Sequence, residues 1–225
     1  MYPLTFTAAR LGIAGLVGAG RSEVARTLFG EYTADSGQVI FDGVGQKFKR
    51  PESAAIENGL VYLSEDRKNE GLFLMMGISD NIAAPSLKKM TRMGLMDKVK
   101  IVSLAKEYVA KMRVVTPGIH RKVRNLSGGN QQKVLLSMWL ATNPGVLIVD
   151  EPTKGVDVGA KSEIYCILRE LADSGTAVVV ISSDLPEILG ISDRIIVMRE
   201  GSVSGTFMAK EATENNIMLA ASGVD

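Results

Sequence analysis

Two chemically versatile residue types are almost missing from this chain. Of 225 residues, one is histidine (His120) and one is cysteine (Cys166). A single imidazole excludes any site built from two histidines, zinc clusters included. A single thiol excludes an internal disulfide and fits a reducing, cytosolic setting. Charge of one sign is scarce as well. Lys plus Arg number 26 against 25 Asp plus Glu, a net charge of +1, without the basic excess that a dedicated nucleic-acid binder needs. Long apolar runs are also lacking. The most apolar stretches, 145–149 and 176–181, fall far short of the ~20 residues that cross a bilayer, so any membrane link has to run through a partner. The amino-terminal segment has no basic stretch ahead of an apolar run and does not read as a signal peptide.

What is present alternates. Short apolar runs at Leu11–Ala14, Gln38–Phe41, Leu60–Leu63, Val146–Val149, Ala177–Ile181 and Ile195–Met198 read as strands. Helical patterns separate them at Arg21–Phe29, from Pro51 to about Asn58, and at Ala160–Asp173 and Leu185–Leu189. Asp42-Gly43 signals a turn. This order predicts an α/β protein with a mainly parallel sheet. From about Met75 to Thr142 strand-like runs disappear and methionines cluster (Met75, Met76, Met90, Met93, Met96, Met112, Met138). Core packing by flexible thioethers is the plain expectation there, with an adaptable protein-binding surface as the alternative. Met96, Val99, Val102, Ala105, Val109 and Met112 predict an amphipathic helix.

Three motifs carry chemistry. Gly15-Leu-Val-Gly18-Ala19-Gly20-Arg21-Ser22 matches GxxxxGK[ST] with Arg21 in the place of lysine. Lying between a strand and a helix, its amides can wrap phosphates at a helix N-terminus, and Ser22 offers a hydroxyl to Mg²⁺. Alone, such a loop also fits a mere glycine-rich turn. Val146–Val149 leads into Asp150 and Glu151, a buried strand ending in two carboxylates. Asp150 is placed to hold magnesium through water, and Glu151 to polarise an attacking water. In Leu126-Ser127-Gly128-Gly129-Asn130-Gln131-Gln132-Lys133, a serine followed by two glycines makes a second capped helix start, hence a second anion site. One nucleotide rarely needs two such sites from one chain. This cap is therefore expected to face a phosphate held by another protomer or domain.

The ordered set resembles the nucleotide-binding domain of an ABC transporter. Phosphate loop, helical insertion, Leu126-Ser127-Gly128-Gly129 signature and acidic strand end come in that order, then Glu151-Pro-Thr-Lys-Gly-Val-Asp157 as D-loop. Finer details are similar to the second, C-terminal ATP-binding half of monosaccharide importers for ribose, galactose, arabinose or xylose. They are Gly18-Ala19-Gly20-Arg21-Ser22-Glu23, Ser64-Glu65-Asp66-Arg67-Lys68, the signature with its trailing Asn-Gln-Gln-Lys, and Lys154 through Lys161. The resemblance implies a P-loop NTPase fold: a RecA-like core sheet over 1–74 and 144–206, an inserted ABC helical subdomain over 75–143, and a carboxyl-terminal tail over 207–225. It implies ATP and Mg²⁺ as cofactors, head-to-tail pairing with the N-terminal ATP-binding half, a membrane permease, and indirectly an extracytoplasmic sugar-binding protein. It also implies a peripheral position on the cytoplasmic face of a bacterial membrane.

Departures from the general ABC pattern bear on mechanism. Arg21 replaces a compact ammonium by a bulky fork. Glu65 stands where a glutamine is expected, and Ser183 stands at the switch-histidine position. His120 lies in the helical insertion and cannot substitute. The expectation is asymmetric duty. Ser127, Gly128 and Gly129 complete a competent site on the partner half, while Arg21, Ser22 and Asp150 hold a second ATP that turns over slowly. Glu151, Glu65, Asp157 and Ser183 are the catalytic-side candidates. Gly15, Gly18, Ala19, Gly20, Arg21, Ser22 and Glu23 hold phosphate. Two alternatives stay open: a regulatory nucleotide-binding half with negligible hydrolysis, and a soluble ABC ATPase of DNA repair or translation.

Few residues precede Gly15, so the chain reads as an excised or trimmed domain that binds nucleotide weakly by itself. Tyr2 and Phe6 are the aromatics available there to stack on adenine. His120 with Arg121, Lys122 and Arg124 is expected to be a solvated basic turn, as is the face of Lys88, Lys89 and Arg92. Trp139 is expected in core or domain-interface packing, Cys166 to be a buried small apolar residue, and Lys210–Ala220 to form a short helix.

Overall fold

The computed structural model describes residues 10–37, 39–41, 44–46, 52–92 and 94–223. The elements run β1 (Arg10–Gly15), α1 (Arg21–Phe29), β2 (Val39–Phe41), β3 (Val44–Gln46), α2 (Glu52–Glu57), β4 (Leu60–Leu63) and a π-helical turn at Arg67–Gly71. Next come α3 (Ile78–Ala83), β5 (Thr91–Arg92), β6 (Leu95–Met96), α4 (Lys98–Lys111) and α5 (Gly128–Leu140). The chain ends with β7 (Val146–Asp150), α6 (Val158–Asp173), β8 (Ala177–Ile181), α7 (Leu185–Ile191), β9 (Arg194–Arg199), β10 (Ser202–Met208) and α8 (Glu214–Ser222). The expected helix at Pro51 begins at Glu52; Pro51, the Asp42-Gly43 turn, Gln38, Met93, Tyr2 and Phe6 lie outside the described residues.

Two compact units emerge. The first takes the described parts of Met1–Tyr62, Gly145–Pro152 and Leu168–Asp225, the second Leu63–Pro144 and Thr153–Ile167. In the first, six strands lie in the order β10-β9-β1-β8-β7-β4. β9, β1, β8 and β7 are mutually parallel, and β10 turns back antiparallel onto β9. Every residue of β7 and β8 is buried, which is why these strands read as unbroken apolar runs rather than alternating ones. β10 alternates between half-buried and exposed positions, the mark of an edge strand with one wet face. The segment read as a tail therefore carries the end of β10 and α8, which packs on β9 and β1. Gly205 sits at a bulge, and glycines and serines around it hide β10 from a hydrophobicity reading.

Registers Ile13↔Ile181 and Asp150↔Ile181 put the carboxyl ends of β1, β8 and β7 at one edge of the sheet. In parallel α/β sheets that edge is where ligands bind.

The second unit is largely helical. α3 packs against α4 and α5. The buried face of α4 is Ile101, Ala105, Tyr108 and Met112, whereas Val99 is 80% exposed. The buried stripe is shifted from the expected apolar face, and Tyr108 can lie in it because its hydroxyl donates to the Leu140 carbonyl at 2.8 Å. The β5–β6 hairpin, two residues a side about Gly94, interrupts a region read as strand-free. Met112 and Met138 are core residues, while Met75, Met76 and Met96 are exposed. Among the described residues no helix is long and apolar enough to cross a membrane.

Candidate functional site

β1 ends at Gly15 and α1 begins at Arg21, so Leu16–Gly20 form the loop between them. Gly15 has a φ of 155°, and a side chain there would place Cβ 2.5 Å from the Met198 carbonyl oxygen. Gly20 caps α1 in the left-handed region at φ 93°. Both positions require glycine for steric reasons. Ala19 N–H closes the loop onto the Leu16 carbonyl at 3.0 Å, and Ala19 is buried. The first intrahelical bond is Val24 N–H to Gly20 O at 3.1 Å, so the amides of Arg21, Ser22 and Glu23 precede the helix ladder and remain available to an anion. Gly18 lies exposed at the loop's crest, and the Glu23 side chain is exposed in the first turn of α1.

Asp150 ends β7 with 2% exposure and accepts a hydrogen bond from the Tyr62 hydroxyl at 2.9 Å. Burial, with the Asp150 charge beside it, pushes the Tyr62 phenol well above its ordinary value, so the tyrosine stays a donor. Glu151 follows in the left-handed region at φ 48°, a conformation costing a non-glycine residue about 1–2 kcal/mol. It is held there by its N–H to the Ile181 carbonyl at 2.8 Å. The turn aims its carboxylate at the loop after β8. Ser183 N–H donates to Glu151 Oε1 at 2.7 Å, and Ser182 Oγ stands 3.5 Å from Oε2.

Arg21 joins this cluster. Its Nη1 donates to the Ser182 carbonyl at 2.5 Å, and its Nη2 lies 3.8 Å from Glu151 Oε1. The residue is only 8% exposed. The phosphate loop, acidic strand end and post-β8 loop are thus joined by side-chain bonds at one sheet edge. Ser183 takes part through its backbone N–H.

The donor set suits a hydrated divalent ion. Among the described residues no cluster of three or more His, Cys, Asp or Glu forms a cage. Asp150 ends β7 as a buried carboxylate and Ser22 stands in the first turn of α1, and one carboxylate with one hydroxyl is the kind of sparse oxygen set that Mg²⁺ takes when phosphates and waters complete its octahedron.

The other candidates belong to the second unit. Ser127 caps α5, its Oγ accepting from Asn130 N–H at 3.4 Å and Asn130 Nδ2 at 3.0 Å. Gly128 is pressed against the Gly155 carbonyl: a Cβ would come within 2.7 Å of that oxygen. Gly129 faces Ala160, whose Cβ would be 2.5 Å away. Both signature glycines therefore answer to packing as well as to any ligand. Asp157 caps α6, accepting from Ala160 N–H at 3.0 Å. Glu65 is exposed and pairs with Lys154 at 3.1 Å.

Sequence reasoning passed over two residues. Tyr62, the donor to Asp150, looked like any strand aromatic. Arg67 stands in the Ser64–Lys68 motif with no role that spacing assigns, yet it is buried and donates to the carbonyls of Lys154 and Gly155. Its signal was an arginine between acids just past a buried strand. His120, Arg121, Lys122 and Arg124 are exposed, as are Lys88 and Lys89. Cys166 is exposed, not buried, because α6 turns Ile164, Ile167, Leu168 and Leu171 inward. Trp139 is half-buried.

A family model described as ABC transporter matches residues 5–154. The chain is 48% identical over 209 residues to the ribose import ATP-binding protein RbsA of Clostridium tetani, covering 92% of this chain and 41% of that protein. It is 46% identical over 214 residues to the xylose import ATP-binding protein XylG of Thermoanaerobacter pseudethanolicus, covering 95% of this chain and 42% of that protein. The chain thus spans less than half the length of these curated relatives. A dimeric bacterial ABC transporter cassette shares the fold at a TM-score of 0.78 and 22% identity, over 92% of this chain and 88% of that one. A second ABC cassette gives a TM-score of 0.80 at 22% identity, over 97% and 86%. With its ordered motifs, its α/β cassette fold and a family model matching most of its length, the chain belongs to the ABC transporter family.

Proposed function

We propose that this chain is the second, C-terminal ATP-binding cassette of a bacterial monosaccharide importer, with its own ATP site slow and its signature serving a partner cassette. The names of the ribose and xylose relatives support the substrate class. In this reading the cassette pairs head-to-tail with the N-terminal ATP-binding half. It lies on the cytoplasmic face of the membrane, held by permease subunits that receive sugar from a binding protein outside. No nucleic acid takes part. Core (1–74, 144–206) and helical insertion (75–143) divide the work between Walker motifs and signature.

The amides at Gly18–Ser22 cradle the β- and γ-phosphates, with the α1 dipole favouring the anion. Gly15, Ala19 and Gly20 shape the loop, and Glu23 exposes its carboxylate in the first helical turn. Ser22 and Asp150 are the residues that hold Mg²⁺, which offsets charge on the phosphates when bound. Tyr62 keeps Asp150 oriented. Glu151 orients the attacking water in line with the γ-phosphorus and accepts its proton, and Arg21 adds positive charge. Glu65, Asp157 and Ser183 frame the catalytic side.

One observation carries the slow own site: the Arg21 guanidinium is bound to the Ser182 carbonyl while Ser183 N–H occupies the Glu151 carboxylate. These bonds commit Arg21 Nη1 and Glu151 Oε1 within the chain, so the guanidinium is aimed at the loop after β8 and the carboxylate keeps its remaining acceptor sites for a water. The same bonds favour the second reading, a regulatory half with negligible hydrolysis.

The test is transport by the complete two-cassette ATPase with its permease, comparing Glu151→Gln with Ser127→Arg. The signature change should abolish transport and Glu151→Gln should leave much of it. Equal loss from both rejects asymmetric duty. Single-turnover hydrolysis confined to this site separates slow turnover from none.

A further inference from the structure

Arg67 is a buried cation whose side-chain hydrogen bonds run to backbone carbonyls, with the Asp66 charge as its electrostatic neighbour. It opens the Arg67–Gly71 turn, whose start is capped by Asp66 accepting from Lys68 N–H at 3.2 Å and Asn69 N–H at 3.1 Å. Its Nη1 donates to the Lys154 carbonyl and its Nη2 to the Gly155 carbonyl at 3.0 Å, while its buried Nε finds no partner. Burial holds its pKa below the usual arginine value. Burying a guanidinium on two neutral carbonyls is costly, and a fold keeps such an arrangement where the fork geometry itself matters.

What the fork grips is a loop against the signature. Gly155 adopts φ +65°, a glycine conformation in this loop. The same Gly155 oxygen lies where a Cβ on Gly128 would come to 2.7 Å, and Arg67 Nη2 lies 3.1 Å from that point. Glu65 holds the loop a second time through Lys154 Nζ at 3.1 Å. At the far end of the turn, a Cβ on Gly71 would meet the Leu135 methyls at 3.1 and 3.2 Å, so the segment is seated on α5 as well. The stretch after β4, loop 153–157 and the first turn of α5 therefore form one hydrogen-bonded and packed block.

We propose that Arg67 is a positioning residue for the signature. By fixing the carbonyls of Lys154 and Gly155 it sets the loop against Gly128 and so aims the N-terminal amides of α5 at the phosphate they serve. The last clause rests on the reading that this signature completes a partner's ATP site. A lysine replaces Arg67 poorly, because its flexible ammonium lacks the planar fork that fixes two carbonyls at set positions.

The experiment compares Arg67→Gln, Arg67→Lys and Ser127→Arg in the complete ATPase assembled with its permease. It reads ATP turnover, KM for ATP, thermal midpoint and hydrogen exchange at Val156 and Gln131, whose amides bond to Thr153 and Ser127. Loss of the fork should speed exchange at both amides by roughly tenfold in either Arg67 variant, with α4 unchanged. Turnover should fall several-fold with little change in KM, and Arg67→Gln should add nothing to Ser127→Arg. Unchanged exchange at Val156 and Gln131, or full rescue by lysine, overturns the clamp. Faster exchange with wild-type turnover, where Ser127→Arg is inactive, overturns the positioning role and leaves the signature reading standing. If Ser127→Arg itself keeps full turnover, that reading fails, while the exchange data still decide the clamp. A variant that melts early is replaced by Lys154→Ala, which removes the loop's second hold without touching the buried guanidinium or Glu65, and faster exchange at Val156 with wild-type turnover again overturns the positioning role.

Discussion

The guanidinium of Arg21 ends on the carbonyl oxygen of Ser182, 2.5 Å away, so the cation of the phosphate loop is tied to the loop that follows β8. A phosphate-loop cation has to point at phosphate to be useful. Here it spends its strongest bond elsewhere, and its second nitrogen lies 3.8 Å from Glu151.

The first prediction concerns that tether. Arg21→Lys removes the fork and with it the bond to Ser182, leaving a flexible ammonium able to turn to the anion. Nucleotide affinity of this site should rise by about tenfold, the worth of one net hydrogen bond no longer broken on binding. Calorimetric titration with a non-hydrolysable MgATP analogue measures it. Unchanged or weaker binding means that the Ser182 bond does not compete with phosphate.

Tyr62 and Asp150 make a second test. Tyr62→Phe keeps the ring against Phe29, 5.8 Å between centroids, and removes the hydroxyl that donates to the carboxylate. Losing a hydrogen bond to a buried charge should cost roughly 1.5–3 kcal/mol in unfolding free energy. The Mg²⁺ concentration for half-maximal nucleotide binding should shift at the same time, because Asp150 loses its orienter. A loss of stability with no change in Mg²⁺ dependence assigns Tyr62 to packing alone.

Acid stability follows from Arg10 and Asp193. The guanidinium bonds Asp193 Oδ1 at 2.7 Å and Oδ2 at 3.1 Å, holding that carboxyl below the usual aspartate range. A carboxyl whose folded pKa is depressed adds stability above its unfolded value near 4, and that stability disappears as pH falls through the folded value. The Asp193 side chain is 43% exposed, so solvent screening limits the contribution to about 0.5–1 kcal/mol. Asp193→Asn should lower the melting temperature near neutral pH and flatten its fall between roughly pH 5 and pH 2. Parallel acid limbs for the two proteins refute the assignment.

Much of this architecture was legible because burial on both faces leaves an unmistakable trace. β7 and β8 are apolar throughout, and the glycines of the phosphate loop stand where φ and close approach demand them. The candidate groups at the end of β7 followed from the strand itself. What stayed hidden depends on geometry that spacing does not encode. β10 is a wet edge strand interrupted by Gly205, so its apolar residues never form a run. The inward face of α4 is a second stripe at helical spacing, Ile101, Ala105, Tyr108 and Met112, which competes in the sequence with Val99, Val102 and Val109 and includes a tyrosine whose hydroxyl has a buried partner. The partners of Arg21 and Arg67 are backbone carbonyls, which every residue carries and no motif marks.

The signature glycines supply the last prediction. Gly129 faces Ala160, and a Cβ on Gly129 would stand 2.5 Å from the Ala160 methyl, inside any tolerable contact. Gly129→Ala should therefore destabilise the protein by about 1–3 kcal/mol through overpacking. If the clash alone is responsible, Ala160→Gly makes room for the new methyl, and the double variant should recover most of the loss after allowing about 1 kcal/mol for a glycine in α6. Urea unfolding of the four proteins closes the cycle. The functional reading makes a separate demand on the same cycle. If the amides at the start of α5 serve a phosphate through their placement rather than through a bare Cα, the repaired double variant regains turnover together with stability. Recovery of stability without turnover means that the phosphate side of Gly129 also excludes a methyl, which makes the glycine a ligand-side requirement rather than a packing one.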